Sequence, residues 1–413
     1  MNTIPIKRLF IYLCFGLLLA CDADNPAPDA SAPPASDSAE TTLRLDPEQA
    51  ALTTEITNAY LRQVDADFNT VDAELESLAG AVSDLLASPD AASLQEARSA
   101  WISANTAYEL TSVHRFFADT IASDADSLAF FQLQYQINHW PILPGYIDYV
   151  VNYPDSGIVN DMTVAIEPDS LRAQHGAFDA DEAAIGFQVV EFLLWGENVN
   201  DSPARPASDF LPQTELSAEE EADGMSVSDL PNNRRRELLR NTVAILRSDF
   251  AELNSLWLTL RTGYATQLND RPARDTLTDL LDAITRLLTE QILAGSLYQM
   301  LNGEFQASKP SIYSNSSATA ASAALTGLER LLLETSAPDA ANLDSLLNSL
   351  SDNYEEFFLP NFDSSKECLV VLFSTDPQEF AAAPAVSEFK VVECINSITN
   401  MIDYLERLKA GDA

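Results

Sequence analysis

The sequence predicts an all-α protein built of two helical bundles, and three observations carry that reading. Apolar residues recur at helical spacing along most of the chain, and no segment alternates as a half-buried strand would. Only 13 glycines occur in 413 residues, too few for a fold rich in tight turns. At 46% hydrophobic residues the chain can bury a sizeable core, and a folded length of about 370 residues points to two domains.

The first twenty residues read as a targeting segment outside the fold. Lys7 and Arg8 are its positive end, and Leu9 to Ala20 form an apolar stretch too short for an ordinary membrane span. Leu18-Leu19-Ala20-Cys21 has the pattern of a bacterial lipobox, which makes Cys21 the expected lipidation site. Acyl chains there would anchor the protein stably. The expected address is the bacterial cell envelope, lipid-anchored and facing the periplasm, with the membrane as a partner through the lipid. Secretion with Cys21 as a spare thiol is the alternative. Residues 21–45 are rich in Pro, Ala, Ser and Asp and read as a disordered tether, reaching on the order of 50 Å if partly extended.

An N-terminal bundle is expected over residues 46–196. Asp46-Pro47 reads as a cap followed by a first-turn proline. Leu52, Ile56 and Tyr60, then Leu75, Leu78, Val82 and Leu85, mark the buried face of a long helix. Asp90 caps the next helix, expected to run through Trp101 and Tyr108 to Phe117, and residues 119–180 are less regular. Residues 197–233, acidic and rich in Pro and Ser, read as an inter-domain loop. A C-terminal bundle over 234–413 opens with Leu239, Val243, Leu246, Phe250, Leu253 and Trp257, a narrow seam with alternating steps of three and four. Leu277, Leu281, Ile284, Leu288 and Ile292 repeat it. Further helices are expected over 317–335, 341–359 and 384–409, with a loop at 303–317.

The net charge of −40 excludes nucleic acid as a partner and disfavours anionic lipid surfaces. It suits a cationic ligand or a solvated surface in a salty environment. Cys368 and Cys394 remain once Cys14 leaves with the signal and Cys21 is lipidated. In an oxidising compartment they can form a disulfide, with two buried thiols as the alternative. The chain has no HExxH, GxSxG, Walker A, CxxC or CxxCH motif.

The most telling stretch is AAIGFQVVEFLLWG, residues 183–196: an apolar helix with one carboxylate, Glu191, set inside it. Burying an ionised carboxylate without a partner is costly. Gln188, three residues earlier, shares its helix face, and Gly186 allows close backbone approach or begins the helix. The pair can present two ligands to one point, or be satisfied by neighbouring helices. Asp148, in the apolar run YIDYVV, must also find a donor, and Arg115 is its natural partner or that of Glu191. The three could equally form a buried ionic cluster that only fixes helix register. Of the three histidines, His114 or His139 could supply an imidazole near Gln188, while His175 lies in a loop expected to face solvent.

Gly186, Glu191 and Leu193-Leu194-Trp195-Gly196 resemble the Gly-x-His-x-x-Glu motif and following run of the imelysin-like family of peptidase homologues and iron-regulated bacterial proteins, except that Gln188 stands at the histidine position. Arg98, Trp101, Tyr108, Arg115 and Phe116 fall as that family's first motif places them. Asn138, Trp140, Pro141, Ile147 and Asp148 fit its Trp-Pro motif, and residues 204–210 and 234–240 are also similar. Three positions that are usually acidic in the family fall here at Ser112, near Pro144 and Gly145, and at Asn315.

The resemblance implies two related bundles with a site near their junction. It implies a role in metal acquisition, with iron or another divalent cation as the cofactor or cargo, Glu191 as the metal-contacting residue and iron-uptake or haem-containing periplasmic proteins as partners. With the motif histidine and several acids missing, the expected role is non-catalytic. A metallopeptidase, and a metal-independent protein- or peptide-binding module, are the alternatives, because hydrolysis on a zinc-like metal generally needs about three protein ligands, an open water position and a base.

Overall fold

The structure is a computed structural model that describes residues 43–412 apart from 200, 201, 306, 334, 336, 338 and 339. The expected signal segment, Cys21 and most of the tether lie outside the described residues. Helix α1 (Pro47–Ala87) begins where the Asp46 carboxylate accepts from the backbone N–H groups of Glu48 and Gln49. A second capping box, Asp90 with Ser93, opens α2 (Ala91–Leu110). There follow α3 (Ser112–Ile121), α4 (Asp124–Asn138), α5 (Pro144–Ile147), α6 (Pro168–Gln174), α7 (Phe187–Trp195) and α8 (Ala218–Ala222). The second half runs through α9 (Pro231–Gln267), α10 (Ala273–Arg286), a π-helical segment Leu287–Leu297, α11 (Tyr298–Leu301), α12 (Ser317–Leu333) and α13 (Leu343–Leu350). It closes with a π-turn Tyr354–Phe358, α14 (Leu359–Ser374), α15 (Pro377–Ala382) and α16 (Pro384–Ala410).

The all-α class holds: among the described residues the only β pairing is an isolated bridge between Val150 and Tyr153. No helix among them is long and apolar enough to cross a membrane. The seam read on α9 is buried throughout, from Leu239 to Trp257. Phe68 of α1 packs edge-on against Phe250 of α9 and lies 5.8 Å from Trp257, and the Trp257 indole donates to Asp65 of α1 at 2.9 Å. One hydrophobic core therefore takes residues from both halves. The expected split into two bundles is not shown, and the described residues from Leu43 onward group into one compact unit.

Several expected boundaries shift, for local reasons. The helix expected to run to Phe117 breaks at Thr111, whose hydroxyl donates to the Tyr108 carbonyl at 2.7 Å, a carbonyl also held by the Arg115 guanidinium. Helix α12 crosses at this break. A Cβ on Gly327 would lie 1.9 Å from the Leu110 carbonyl oxygen, so only glycine admits the contact. The stretch read as irregular after residue 119 contains α4, capped by Ser123. The helix expected over 341–359 stops at Leu350, and Pro360 sits in the first turn of a separate α14. Residues 43–45, read as tether, are partly docked, with Leu43 buried and its N–H donating to the Lys409 carbonyl at 3.2 Å. The Sγ atoms of Cys368 (α14) and Cys394 (α16) are bonded, their Cα atoms 5.7 Å apart.

Candidate functional site

All nine residues of α7 are buried. A helix that is apolar all round must be enclosed by others, and specific polar contacts fix it at both ends. At the start, Gly186 adopts φ +101°, and a Cβ there would come within 2.7 Å of the Gln136 carbonyl and 2.9 Å of the Ile137 carbonyl on α4. The Trp101 indole donates to the Phe187 carbonyl at 2.9 Å. At the end, Gly196 turns the chain with φ +70°, and the Arg98 guanidinium donates to the carbonyls of Leu194 and Arg205, both at 2.8 Å.

Glu191 is fully buried, with no exposed surface. Its Oε1 accepts from the backbone N–H and the hydroxyl of Ser314, both at 2.7 Å, while its Oε2 has no hydrogen-bond partner among the described residues. Burial pushes its pKa up to about 8, and the donors from Ser314 and Tyr313 only partly oppose that rise. The carboxyl is therefore mostly neutral at pH 7. Gln188 faces elsewhere: its Nε2 donates to Asn138 Oδ1 at 2.9 Å, and Asn138 in turn donates to Glu109 Oε1 at 2.7 Å. Gln188 and Glu191 thus engage different protein partners.

Ser314 belongs to the loop expected at 303–317, which is held over α7 from several sides. The Trp140 indole donates to the Ala307 carbonyl at 2.7 Å, Asn105 donates to the Ser311 hydroxyl at 3.1 Å, and buried Lys309 donates to the Phe373 carbonyl at 3.4 Å. Ser311 and Asn315 lie in the left-handed region, a conformation that asparagine tolerates better than most residues.

The proposed cluster of Arg115, Asp148 and Glu191 does not form. Asp148, fully buried, is held by Arg235 (Nε to Oδ2 2.6 Å, Nη2 to Oδ1 3.1 Å) and by Arg205 at 3.0 Å. Both guanidinium groups lie over the Tyr149 ring, at 4.6 and 5.3 Å. Arg115 instead ties the α2–α3 junction to α4, donating to Thr111 Oγ1 at 2.7 Å, Ser112 Oγ at 3.1 Å and Gln134 Oε1 at 3.2 Å. Its guanidinium also lies 3.9 Å from the centroid of the Tyr108 ring, which is itself buried.

The histidines are likewise committed away from Glu191. His114 lies between Asp67 and Tyr60 of α1, 2.9 Å from each, and burial pushes its pKa down. His139 packs on Tyr135 and near His175, with ring centroids 4.5 and 5.7 Å away. His175 is half-buried rather than solvent-facing. Its Nδ1 accepts from the Ala184 N–H at 3.3 Å, which leaves Nε2 to donate to the Tyr135 carbonyl at 3.2 Å.

Residues 64–364 match the imelysin (peptidase M75) family model. The chain belongs to the imelysin family. No curated protein matches it by sequence. Among solved structures it is similar to an iron-regulated protein A precursor from Parabacteroides distasonis, with TM-score 0.61 and 13% identity over 90% of this chain and 96% of that one. It is also similar to an imelysin-like protein from Psychrobacter arcticum, with TM-score 0.54 and 13% identity over 89% and 96%. At that identity the likeness speaks for the fold.

The residues of this chain do not fit a resident metal at the α7 motif. Glu191 is met by an N–H and a hydroxyl that both donate to it, and the neighbouring motif side chain is an amide. Among the described residues no group of three or more His, Cys, Asp or Glu side chains is placed to hold an ion. A catalytic zinc-type centre needs about three such ligands and an open position.

Sequence reasoning missed Glu109, Ser314, Arg205 and Arg235 as partners within the imelysin motifs. Glu109 is only 5% exposed and accepts from Asn138, from Gln291 at 3.0 Å and from Ser112 at 3.3 Å. The position three residues further on, Ser112, was expected to matter because it lacks an acid. The acid sits directly after Tyr108 instead. Arg205 and Arg235 lie in two of the quoted family-like segments, so that signal was present, although it did not reveal their pairing with Asp148.

Proposed function

We propose that this imelysin-family chain is a non-catalytic, lipid-anchored protein facing the periplasm that serves iron acquisition. The observation that carries the non-catalytic reading is the surroundings of Glu191: one buried, largely neutral carboxyl, satisfied on one oxygen by Ser314, and not part of any group of three or more acidic, His or Cys side chains placed to hold an ion among the described residues. A hydrolytic metal needs several basic ligands and an activated water, and neither the motif amide Gln188 nor the committed histidines supply them. The link to iron rests on family membership and on the structural neighbour described as an iron-regulated protein A precursor. The anchoring rests on the Leu18-Leu19-Ala20-Cys21 pattern.

Two measurements on cells test this reading. Replacing Cys21 with serine is expected to move the protein from the membrane fraction to the soluble fraction, because the remaining apolar stretch is too short to hold it; retention after a high-salt wash contradicts anchoring. Cells lacking the chain are expected to take up radiolabelled iron more slowly under iron limitation, with the rate restored by the wild type. Unchanged uptake contradicts the iron role and leaves the anchoring untouched.

A further inference from the structure

A cavity of about 310 Å³, open to solvent, lies where α2, α3 and α4 meet the π-helical segment and α12. Glu109, Arg115, Gln134 and Asn138 line its polar part, and Phe116, Trp140 and Phe373 contribute aromatic surface. Ala320, Ala321 and Ala324 of α12 line it with small side chains.

The hydrogen bonds around Glu109 indicate which charge this cavity accommodates. Asn138, Gln291 and Ser112 are neutral donors to the carboxylate. The nearest cation, Arg115, approaches no closer than 3.9 Å. Arg115 has five N–H bonds, and four of them go to Tyr108, Thr111, Ser112 and Gln134. It is therefore poorly placed to bind an anion from solvent. Each carboxylate oxygen of Glu109 has two lone pairs, and Oε1 is met by Asn138 alone. At the rim, Glu290 adds a second acid, itself bridged by Arg286. The cavity thus offers an incompletely matched buried carboxylate beside aromatic surface, within a strongly acidic protein. Aromatic faces attract alkylammonium and guanidinium groups, and an acidic surface raises the local concentration of cations.

We infer that this cavity binds a small amphipathic organic cation, an alkylammonium or guanidinium, with its charge at Glu109 and its apolar part against Phe116 and Trp140. This site is distinct from Glu191 and independent of the role in iron acquisition. The α7 motif supports it indirectly: Gln188 donates to Asn138 and Asn138 to Glu109, so the motif amide positions the donor that orients the carboxylate.

Three probes of similar shape separate charge from hydrophobicity: phenethylamine as the cation, 2-phenylethanol as the neutral form and 3-phenylpropionate as the anion. Calorimetry at pH 7 on the soluble body is expected to show phenethylamine binding at least about tenfold more tightly than either of the others, as for a buried charge-assisted hydrogen bond. Glu109→Gln should erase that preference. Ala321→Phe narrows the cavity from the α12 side, and should abolish binding of all three while the melting transition stays cooperative. Equal affinity for the three probes, or a cation preference that survives Glu109→Gln in a folded variant, overturns the inference. Binding unchanged by Ala321→Phe places the ligand elsewhere and overturns it too.

Discussion

Replacing Asp148 with alanine is expected to destabilise the fold by about 3–5 kcal/mol, the usual cost of removing one partner from a buried ion pair. The carboxylate is fully buried and compensates two buried guanidinium groups, Arg205 and Arg235. Arg205 Nε and Nη2 have no hydrogen-bond partner among the described residues, and Nη1 alone meets Asp148. Removing the anion leaves these cations in a low-dielectric interior, where the Tyr149 ring, Asp209 and Asn232 replace only part of its charge. Asp148→Asn keeps the volume and should cost a comparable amount, because the charge is what is lost. Adding Arg235→Met to Asp148→Ala should recover part of the loss, since neighbouring sites of this kind are not additive. Urea denaturation of the three variants checks this. A midpoint unchanged by Asp148→Ala would mean that solvent already screens the cluster.

Glu191→Gln is expected to stabilise the protein at alkaline pH and to leave it nearly unchanged in acid. The folded-state pKa of about 8 lies above the ordinary value of 4.5. Below about pH 4.5 the carboxyl is protonated in both folded and unfolded chains and contributes no pH dependence. Between about pH 4.5 and 8 the unfolded chain releases the proton while the folded chain keeps it, so stability falls as pH rises. The full loss is on the order of 5 kcal/mol. A glutamine keeps an oxygen for the Ser314 hydroxyl and N–H and cannot ionise. The difference in melting temperature between variant and wild type should therefore widen from pH 4.5 to pH 8 and then level off. A difference that is flat with pH would show that Glu191 ionises at its ordinary pKa and is solvated. A difference that narrows would show that a cation is paired with it.

Much of this fold is legible in the sequence because helical periodicity is set by burial, which dominates the energetics of long amphipathic segments. The α1 and α9 faces and the caps at Asp46 and Asp90 are of this kind. The boundaries that moved are set by tertiary contacts. The break at Thr111 depends on a carbonyl claimed by the Arg115 side chain and on α12 passing at Gly327, and neither appears in local periodicity. At the site, the burial of Glu191 and the need of Asp148 for a cation could be read from their apolar surroundings. Their partners could not, because Arg205, Arg235 and Ser314 lie 57, 87 and 123 residues away along the chain. Charge complementarity alone made Arg115 the nearest choice, whereas its guanidinium is spent within its own helix junction and on α4.

Peptide hydrolysis tests the central claim most directly. The purified body, incubated with a denatured polypeptide and in turn with zinc, ferrous iron and a chelator, is expected to release no new amino termini above the chelated control, and Glu191→Gln should behave identically. Cleavage that is lost on chelation, regained with metal and abolished by Glu191→Gln would show that the buried carboxyl of α7 holds a catalytic ion after all.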